Sequence, residues 1–328
     1  MWQVENATPF AAAGNWTRDR NGAEVWLVAV RCTFDIAANG TTIPADEQPP
    51  PVLAPVFRGD PGKSSMVCDS DFYLAKPTTD LLLNGSAFAP GGKPTTQVDA
   101  TMRVGDISKT LRATGDRIYK SGLRGSVQPF TEMPLVYERA YGGGEPEPPK
   151  NPDRPKFDER NPVGSGFVPE EGRSAPNVEY SGVSLSSKPA GFGAIPPNWK
   201  PRSRHAGTYD AAWQKDRCPL FPDDLDDKFF LCSPEDQRPS EYLRGGEEVE
   251  LVNLTPSGRL AFQLPRLAFG FETYFRGGDI VQHRGKLHTV ILEPSVPQVI
   301  LVWRTELACH PRVLKLQKTV VREKTILN

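Results

Sequence analysis

The sequence lacks the patterns that identify several common classes of protein. Its five cysteines are odd in number, widely spaced and without a CxxC pair, which excludes a disulfide framework and a paired-knuckle zinc site. Its four histidines form no HExxH motif. No apolar run is long enough to cross a bilayer, and the N-terminus lacks the basic and apolar parts of a secretory signal. We expect a soluble, cytoplasmic protein without metal or cofactor.

Two glycine-containing motifs resemble nucleotide-binding loops without completing them. Gly62-Lys63-Ser64 has the form of the end of a phosphate-binding loop, but Phe57 stands where this motif needs its first glycine. Gly191-Phe192-Gly193 lacks the third glycine of a dinucleotide fingerprint, and no alternation of strands and helices surrounds it. We interpret both as turns.

One histidine is followed in the sequence by several carboxylates. His205 precedes Asp210, Asp223 and Asp224, any of which can orient a histidine base. No nucleophile signature accompanies them, because Ser165 lacks the GxSxG spacing. A surface or hydrogen-bonded histidine is the simpler interpretation. The sequence thus identifies no catalytic residue, and we predict that the protein is not an enzyme.

Composition indicates an ordered chain with many turns. The 29 glycines and 33 prolines exceed average usage, whereas charged residues make up an ordinary 24%. The formal net charge of -1 gives no global attraction to nucleic acid or to an anionic membrane. We therefore predict neither nucleic-acid binding nor membrane insertion.

Short runs of β-branched and aromatic residues, separated by turn signals, predict a mainly β protein. Residues 24–34 and 298–305 are apolar at nearly every position, which is typical of buried, central strands. Hairpin turns are predicted at Gly115-Asp116, at residues 255–258 and at Arg284-Gly285. Helical candidates are short. We expect an antiparallel β-sandwich or barrel-like frame with an N-terminal β region (1–133), an irregular middle region (134–245) and a C-terminal β region (246–328).

Residues 134–230, which we call the belt, interrupt this alternation. Glycine, proline and single aromatic residues replace the regular pattern, and long connections of this kind are either disordered or functional. The belt holds too many aromatic residues for a solvated linker. We predict an ordered, irregular segment laid over the β frame.

Partner binding by the belt is one interpretation, and sealing of the frame is the other; both can hold. The belt contains residue types that dominate interface hot spots, and charged residues that can fix orientation. The candidate partner-binding residues are Tyr141, Trp199, Arg202, Arg204, Tyr209, Trp213, Asp223 and Asp224.

Several motifs in a fixed order resemble those of one bacterial family. They include GSAFAPGGKP (85–94), PFTEMPLVYERAYGG (129–143), NPVGSGF (161–167), PAGFGAIPPNW (189–199) and GTYDAAW (207–213). The combination resembles the domain of unknown function 2169 family and extends over about residues 16–264. Linked motifs in order are more specific than any single one.

The resemblance implies a non-enzymatic adaptor or chaperone of bacterial type VI secretion. Such a protein is expected to hold an effector through its PAAR-containing region and to help load it onto the VgrG spike. No catalytic residue is carried over, because the family has no agreed active site. Two alternatives remain: a hydrolase or carbohydrate-processing enzyme with its site under the belt, and a structural component of the secretion apparatus.

Overall fold

A computed structural model describes residues 2–74, 76–146, 149–151, 153, 155–183 and 186–324, and this part of the chain is mainly β. The strands are β1 (Gln3–Asn6), β2 (Ala11–Arg18), β3 (Glu24–Ile36), β4 (Thr42–Pro44), β5 (Val56–Phe57), β6 (Met66–Cys68), β7 (Asp80–Leu83), β8 (Ser86–Phe88), β9 (Gln97–Val104), β10 (Ile107–Thr114), β11 (Tyr119–Lys120), β12 (Leu123–Arg124), β13 (Glu132–Pro134), β14 (Tyr141–Gly142), β15 (Ser165–Gly166), β16 (Val178–Tyr180), β17 (Glu248–Val252), β18 (Arg259–Gln263), β19 (Phe269–Phe275), β20 (Ile280–Arg284), β21 (Lys286–Glu293), β22 (Gln298–Ala308) and β23 (Leu316–Glu323). Two short α-helices, α1 (Lys200–Ser203) and α2 (Ala211–Asp216), lie in the belt.

A six-stranded sheet forms the centre of the fold. Its order is β2-β3-β22-β21-β7, with β4 paired to β3. The two strands predicted to be buried are confirmed. They are also neighbours, which pair in antiparallel register with Leu301 opposite Cys32. Both are buried along most of their length because their apolar residues face packed layers on both sides of the sheet. Pairing of β3 with β22 joins the N-terminal and C-terminal β regions in one sheet.

Two further sheets pack on one face of the central sheet. One has the order β1-β23-β19-β20 and the other β16-β10-β9-β17-β18. Trp26 of the central sheet, Phe271 of the four-stranded sheet and Met102 of the five-stranded sheet belong to one buried core. The mainly β, sandwich-like prediction is confirmed, and the sheets of the described residues have open edges and form no closed barrel. No helix among the described residues is long and apolar enough to cross a membrane.

Of the three predicted hairpins, the strand pairing confirms one and contradicts two. The hairpin at residues 255–258 is confirmed, since β17 pairs with β18. The one predicted at Gly115-Asp116 is wrong, because β10 pairs back onto β9 through Gly105-Asp106. Gly105 has the positive φ that such a turn needs, +52°. Gly115 instead approaches another chain segment, and a Cβ there would lie 1.8 Å from the carbonyl oxygen of Gln128.

The hairpin predicted at Arg284-Gly285 is also wrong. β20 pairs with β19, and β21 pairs with β22 and β7, so the chain passes from one sheet to another at this point. Gly285 permits the crossing because a Cβ there would lie 2.9 Å from the ring of Phe271.

A chain of polar side chains links the central sheet to the four-stranded sheet. The Trp26 indole donates to Thr319 Oγ1 at 2.8 Å, and Thr319 is 2.7 Å from Thr273 Oγ1. His283 then bridges Thr273 at 2.8 Å and Thr305 at 2.6 Å. Burial lowers the pKa of His283 to about 4, so the neutral ring belongs to the folded state.

Replacement of His283 tests this link. The pKa of His283 is depressed on folding, so its contribution to stability is present above its unfolded pKa of 6.5 and is lost as the pH falls towards 4. We expect the loss to approach about 3 kcal/mol, at about 1.4 kcal/mol per pKa unit. His283→Gln should therefore show a shallower fall in the free energy of unfolding between pH 6.5 and 4, measured by urea denaturation. The exposed His310→Gln is the control, and equal slopes in all three proteins would contradict the assignment.

Candidate functional site

The belt is fastened to the frame by a buried arginine of α1. Arg202 donates to Asp69 Oδ2 at 2.7 Å, to the Ile195 carbonyl at 2.8 Å and to the Phe229 carbonyl at 2.9 and 3.1 Å. Its side chain is fully buried, and that of Asp69 is 1% exposed. A buried charge is tolerated only when it is paired and hydrogen-bonded, and this one is both. Arg202 thus joins three segments of chain at one point.

Close aromatic packing fixes the course of the belt beside this arginine. The rings of Tyr137 and Trp199 meet edge to face with centroids 5.3 Å apart, and both residues are buried. Gly191 lies against the Tyr137 ring, where a Cβ would be only 2.7 Å from ring carbons. The glycine therefore serves packing, which explains why Gly191-Phe192-Gly193 resembles a dinucleotide motif only in part.

A cleft of about 400 Å³ opens beside this packed region. We call it the belt cleft. Its lining is largely tyrosine, proline and aliphatic, with charged groups of both signs, and comprises Tyr137, Arg160, Tyr180, Pro189, Gly191, Ile195, Pro201, Pro234, Glu235 and Asp236. The size falls within the range of about 300–1,000 Å³ typical of ligand-binding clefts. All of these residues belong to the middle region (134–245), whose shape is held by the contacts described above.

A buried lysine supports the base of the belt cleft. Lys109 Nζ donates to the Gly191 carbonyl at 2.6 Å and to Asp236 Oδ1 and Gln237 Oε1, each at 2.8 Å. Burial lowers the pKa of Lys109 to about 8, an effect that Asp236 opposes. Burial and the neighbouring Asp236 raise the pKa of Tyr180, so this phenol stays neutral. All three donors of the Lys109 ammonium thus have an acceptor. Its role is to hold the segments that carry Gly191 and Asp236, two lining residues of the cleft, next to each other.

The candidate residues of the belt fall into three groups, and none of the eight lines the belt cleft. Trp199 and Arg202 are buried, so their apolar area and charge are already used within the fold. Tyr209 is exposed and Trp213 is half-buried, and their ring centroids lie 4.7 Å apart. The N-cap of α2 orients them, because Asp210 Oδ1 accepts from the Trp213 amide at 2.9 Å.

The remaining candidates make local contacts at the surface or near it. Arg204 lies 3.3 Å from Glu235, at the margin of the belt cleft, and Asp223 lies 3.0 Å from the Arg217 guanidinium. Asp224 accepts from the amide and hydroxyl of Thr208. Tyr141 is half-buried in β14. Their binding to a partner stays a prediction.

The histidine considered as a base has a different carboxylate partner. His205 Nδ1 is 3.0 Å from Asp226 Oδ2, and Arg204 Nε donates to His205 Nε2 at 3.1 Å. The three carboxylates considered in the sequence make the other contacts described above: Asp210 with the Trp213 amide, Asp223 with Arg217 and Asp224 with Thr208. Among the described residues, no group of three or more potential ligands is placed to hold a metal ion.

A larger but more polar groove, of about 770 Å³, is lined by residues 39–42 and by residues of β9, β17 and the edge strand β18. Here Gly40 lies against the edge, and a Cβ would be 2.3 Å from the Ala261 carbonyl oxygen. A loop that covers an edge strand protects it from pairing with another chain. Without clustered aromatic groups, this groove is a weaker candidate than the belt cleft.

The family model described as an uncharacterized protein conserved in bacteria (DUF2169) matches residues 21–304. The chain belongs to the DUF2169 family. The match includes every residue that lines the belt cleft. Searches of curated proteins and of solved structures gave no match.

Substitutions at Trp199 and Tyr209 separate the structural residues of the belt from the exposed ones. Trp199→Ala should lower the free energy of unfolding by about 3–5 kcal/mol, because it leaves a cavity beside Tyr137. Tyr209→Ala should change it by less than about 1 kcal/mol, since this residue is 53% exposed at the surface. Urea denaturation of the two variants measures both values. Equal destabilisation would contradict the placement of these aromatic residues.

Proposed function

We propose that this DUF2169 protein is a cytoplasmic adaptor that holds an extended segment of a partner protein in the belt cleft. The observation that carries the proposal is the cleft itself: an open groove with tyrosine and proline walls, built on a well-packed frame. Rigid aromatic side chains provide contact area at a small cost in conformational entropy. Loops supported by a rigid scaffold are the usual place for binding residues.

The polar groups of the belt cleft suit peptide binding with a defined direction. Arg160 lines the cleft together with Glu235 and Asp236, so both signs of charge are available. Glu235 is largely exposed and pairs only loosely with Arg204, at 3.3 Å. Exposed rim charges affect the rate and specificity of association more than its affinity. Such an interface is selective and reversible, as loading and release of a cargo require.

For the identity of the partner we rely on the resemblance of the sequence motifs. We propose a type VI secretion effector, held through its PAAR-containing region and passed to the VgrG spike. The motifs 129–143 and 189–199 that carry the resemblance also supply Tyr137, Gly191 and Ile195 of the belt cleft.

Co-purification with the effector encoded beside this gene tests the proposal. The wild-type protein should recover the effector, and Tyr180→Ala should weaken binding about 30-fold, as expected for a hot-spot residue of about 2 kcal/mol. Glu235→Arg should weaken binding less and mainly slow association, measured by surface plasmon resonance. The matched control is Glu47→Arg, an exposed residue outside the cleft.

Melting temperatures of the same variants establish that loss of binding is not loss of folding. The adaptor proposal fails if no PAAR or VgrG protein is recovered and deletion of the gene leaves effector secretion unchanged. Sedimentation separates the adaptor from a lasting structural component, because an adaptor should be found free or bound one-to-one with its cargo.

A further inference from the structure

A second pocket lies elsewhere on the surface, between the central sheet and the end of the belt. It has a volume of about 270 Å³ and shares no lining residue with the belt cleft. The start of β3, the end of β22 and residues 225–230 form its walls, together with Asp19, Arg20 and Leu74. It is smaller than the roughly 300–1,000 Å³ of ordinary small-molecule sites. A single inserted side chain fits this size better than a whole ligand does.

The floor of this pocket is apolar. Val25, Leu74, Leu225, Phe230 and Ala308 line it. Phe230 is fixed by edge-to-face contacts with Phe221 and Phe229 at centroid distances of 5.9 and 5.7 Å. A partner side chain with a hydrocarbon stem would gain about 0.8 kcal/mol for each methylene group that it buries here. The floor alone would also accept leucine or methionine, so the rim must decide the class of side chain.

The rim is acidic. Asp19, Asp227 and Glu306 line it with one cation, Arg20, so the lining has a net charge of -2. Arg20 is already paired with Asp227 at 2.5 Å, and its carbonyl accepts from Arg217. The charge complementarity therefore favours a cation.

One cation behind the pocket wall lessens this field without reversing it. Arg304 is 1% exposed, and within the described part of the chain its one ion pair is with Glu306 at 3.3 Å. The lining residues and Arg304 together carry a net charge of -1. Arg217, which donates to the Arg20 carbonyl, adds no net charge because it pairs with Asp223 at 3.0 Å. Glu306 thus has an arginine on its inner side while its exposed carboxylate also belongs to the pocket rim.

We propose that this pocket receives the side chain of an arginine or lysine from a partner protein. The methylene stem lies over Leu225 and Phe230, and the charged head reaches Glu306 and Asp19 at the rim. Long basic side chains bury their stems and keep their heads at the surface in this manner. Anchoring of one such residue in a small, preformed pocket is a common mode of protein recognition.

Capped tripeptides test the proposal without knowledge of the partner. The probes are acetyl-Gly-X-Gly-amide with arginine, lysine, norleucine or glutamate at X, titrated into the ¹⁵N-labelled full chain. Arginine and lysine peptides should shift the backbone amide signals of Val25 and Ala308, and norleucine should bind about fivefold or more weakly, since it has the stem without the charge. The glutamate peptide should not bind.

Three variants locate the binding. In Asp19→Asn the side chain keeps an oxygen that can accept from the amides of Asn21 and Ala23, but one rim charge is lost. Binding of the arginine peptide should therefore weaken about fivefold. Glu306→Gln should do the same, but it also removes the partner of Arg304, so its melting temperature is measured first. Ala308→Phe adds a ring to the pocket lining, which leaves no room for the side chain, and should abolish binding. The control is Glu132→Gln, an exposed carboxylate outside the pocket.

The outcomes separate the possible occupants. Equal binding of norleucine and arginine peptides, or no peptide binding to the folded wild type, overturns the proposal. Tighter binding of free agmatine than of the arginine peptide would indicate a small amine instead of a protein partner and also overturns it. Because the probes require no effector, failure here leaves the adaptor proposal standing, and failure of the adaptor proposal leaves this one standing.

Discussion

The hydrogen bonds of one buried guanidinium position the belt on the frame. Arg202 connects Asp69 from the N-terminal region with carbonyl groups of Ile195 and Phe229 at two distant points of the belt. Removal of either charge from such a pair leaves the other buried and uncompensated, a cost of about 3–5 kcal/mol. The contacts require a specific arrangement of backbone carbonyls, which a simple apolar contact would not. The segments of the belt around Ile195, Arg202 and Phe229 are therefore fixed on the frame.

This constraint accounts for the form of the belt cleft. Its walls come from loops and very short elements such as β16 and α1, so side-chain contacts do much of the work of backbone ladders. Trp199 packs against Tyr137 on one side, and Lys109 binds Gln237 below. Gln237 also donates to the Leu81 and Phe192 carbonyls at 2.9 and 3.0 Å, which ties the cleft to β7. When a cleft is already ordered before binding, little conformational entropy is lost on association, so more of the interaction energy appears as affinity.

The sequence allowed prediction of strands better than of their partners. The apolar runs of β3 and β22 indicated buried strands. The hairpin turn was harder to place, because Gly105-Asp106 and Gly115-Asp116 are the same dipeptide. Only tertiary contacts decide which of the two forms the hairpin. In the site, the aromatic content indicated an ordered belt without indicating which rings face inward. Lys109 was missed although its position was informative: it occupies an inward position of β10, in line with Leu111.

The pairing of β3 with β22 also has a consequence for synthesis of the protein. These neighbours in the central sheet are separated by most of the chain, and contacts so distant in sequence form late and slowly. While the ribosome is still making the middle region, β22 does not yet exist. The apolar run of β3 from Val25 to Phe34 therefore lacks the strand that pairs with one of its edges. An unpaired apolar strand of this kind is prone to aggregate. Until β22 emerges, a nascent chain therefore has only β2 and β4 to pair with β3, and the β22 edge of this apolar strand stays open.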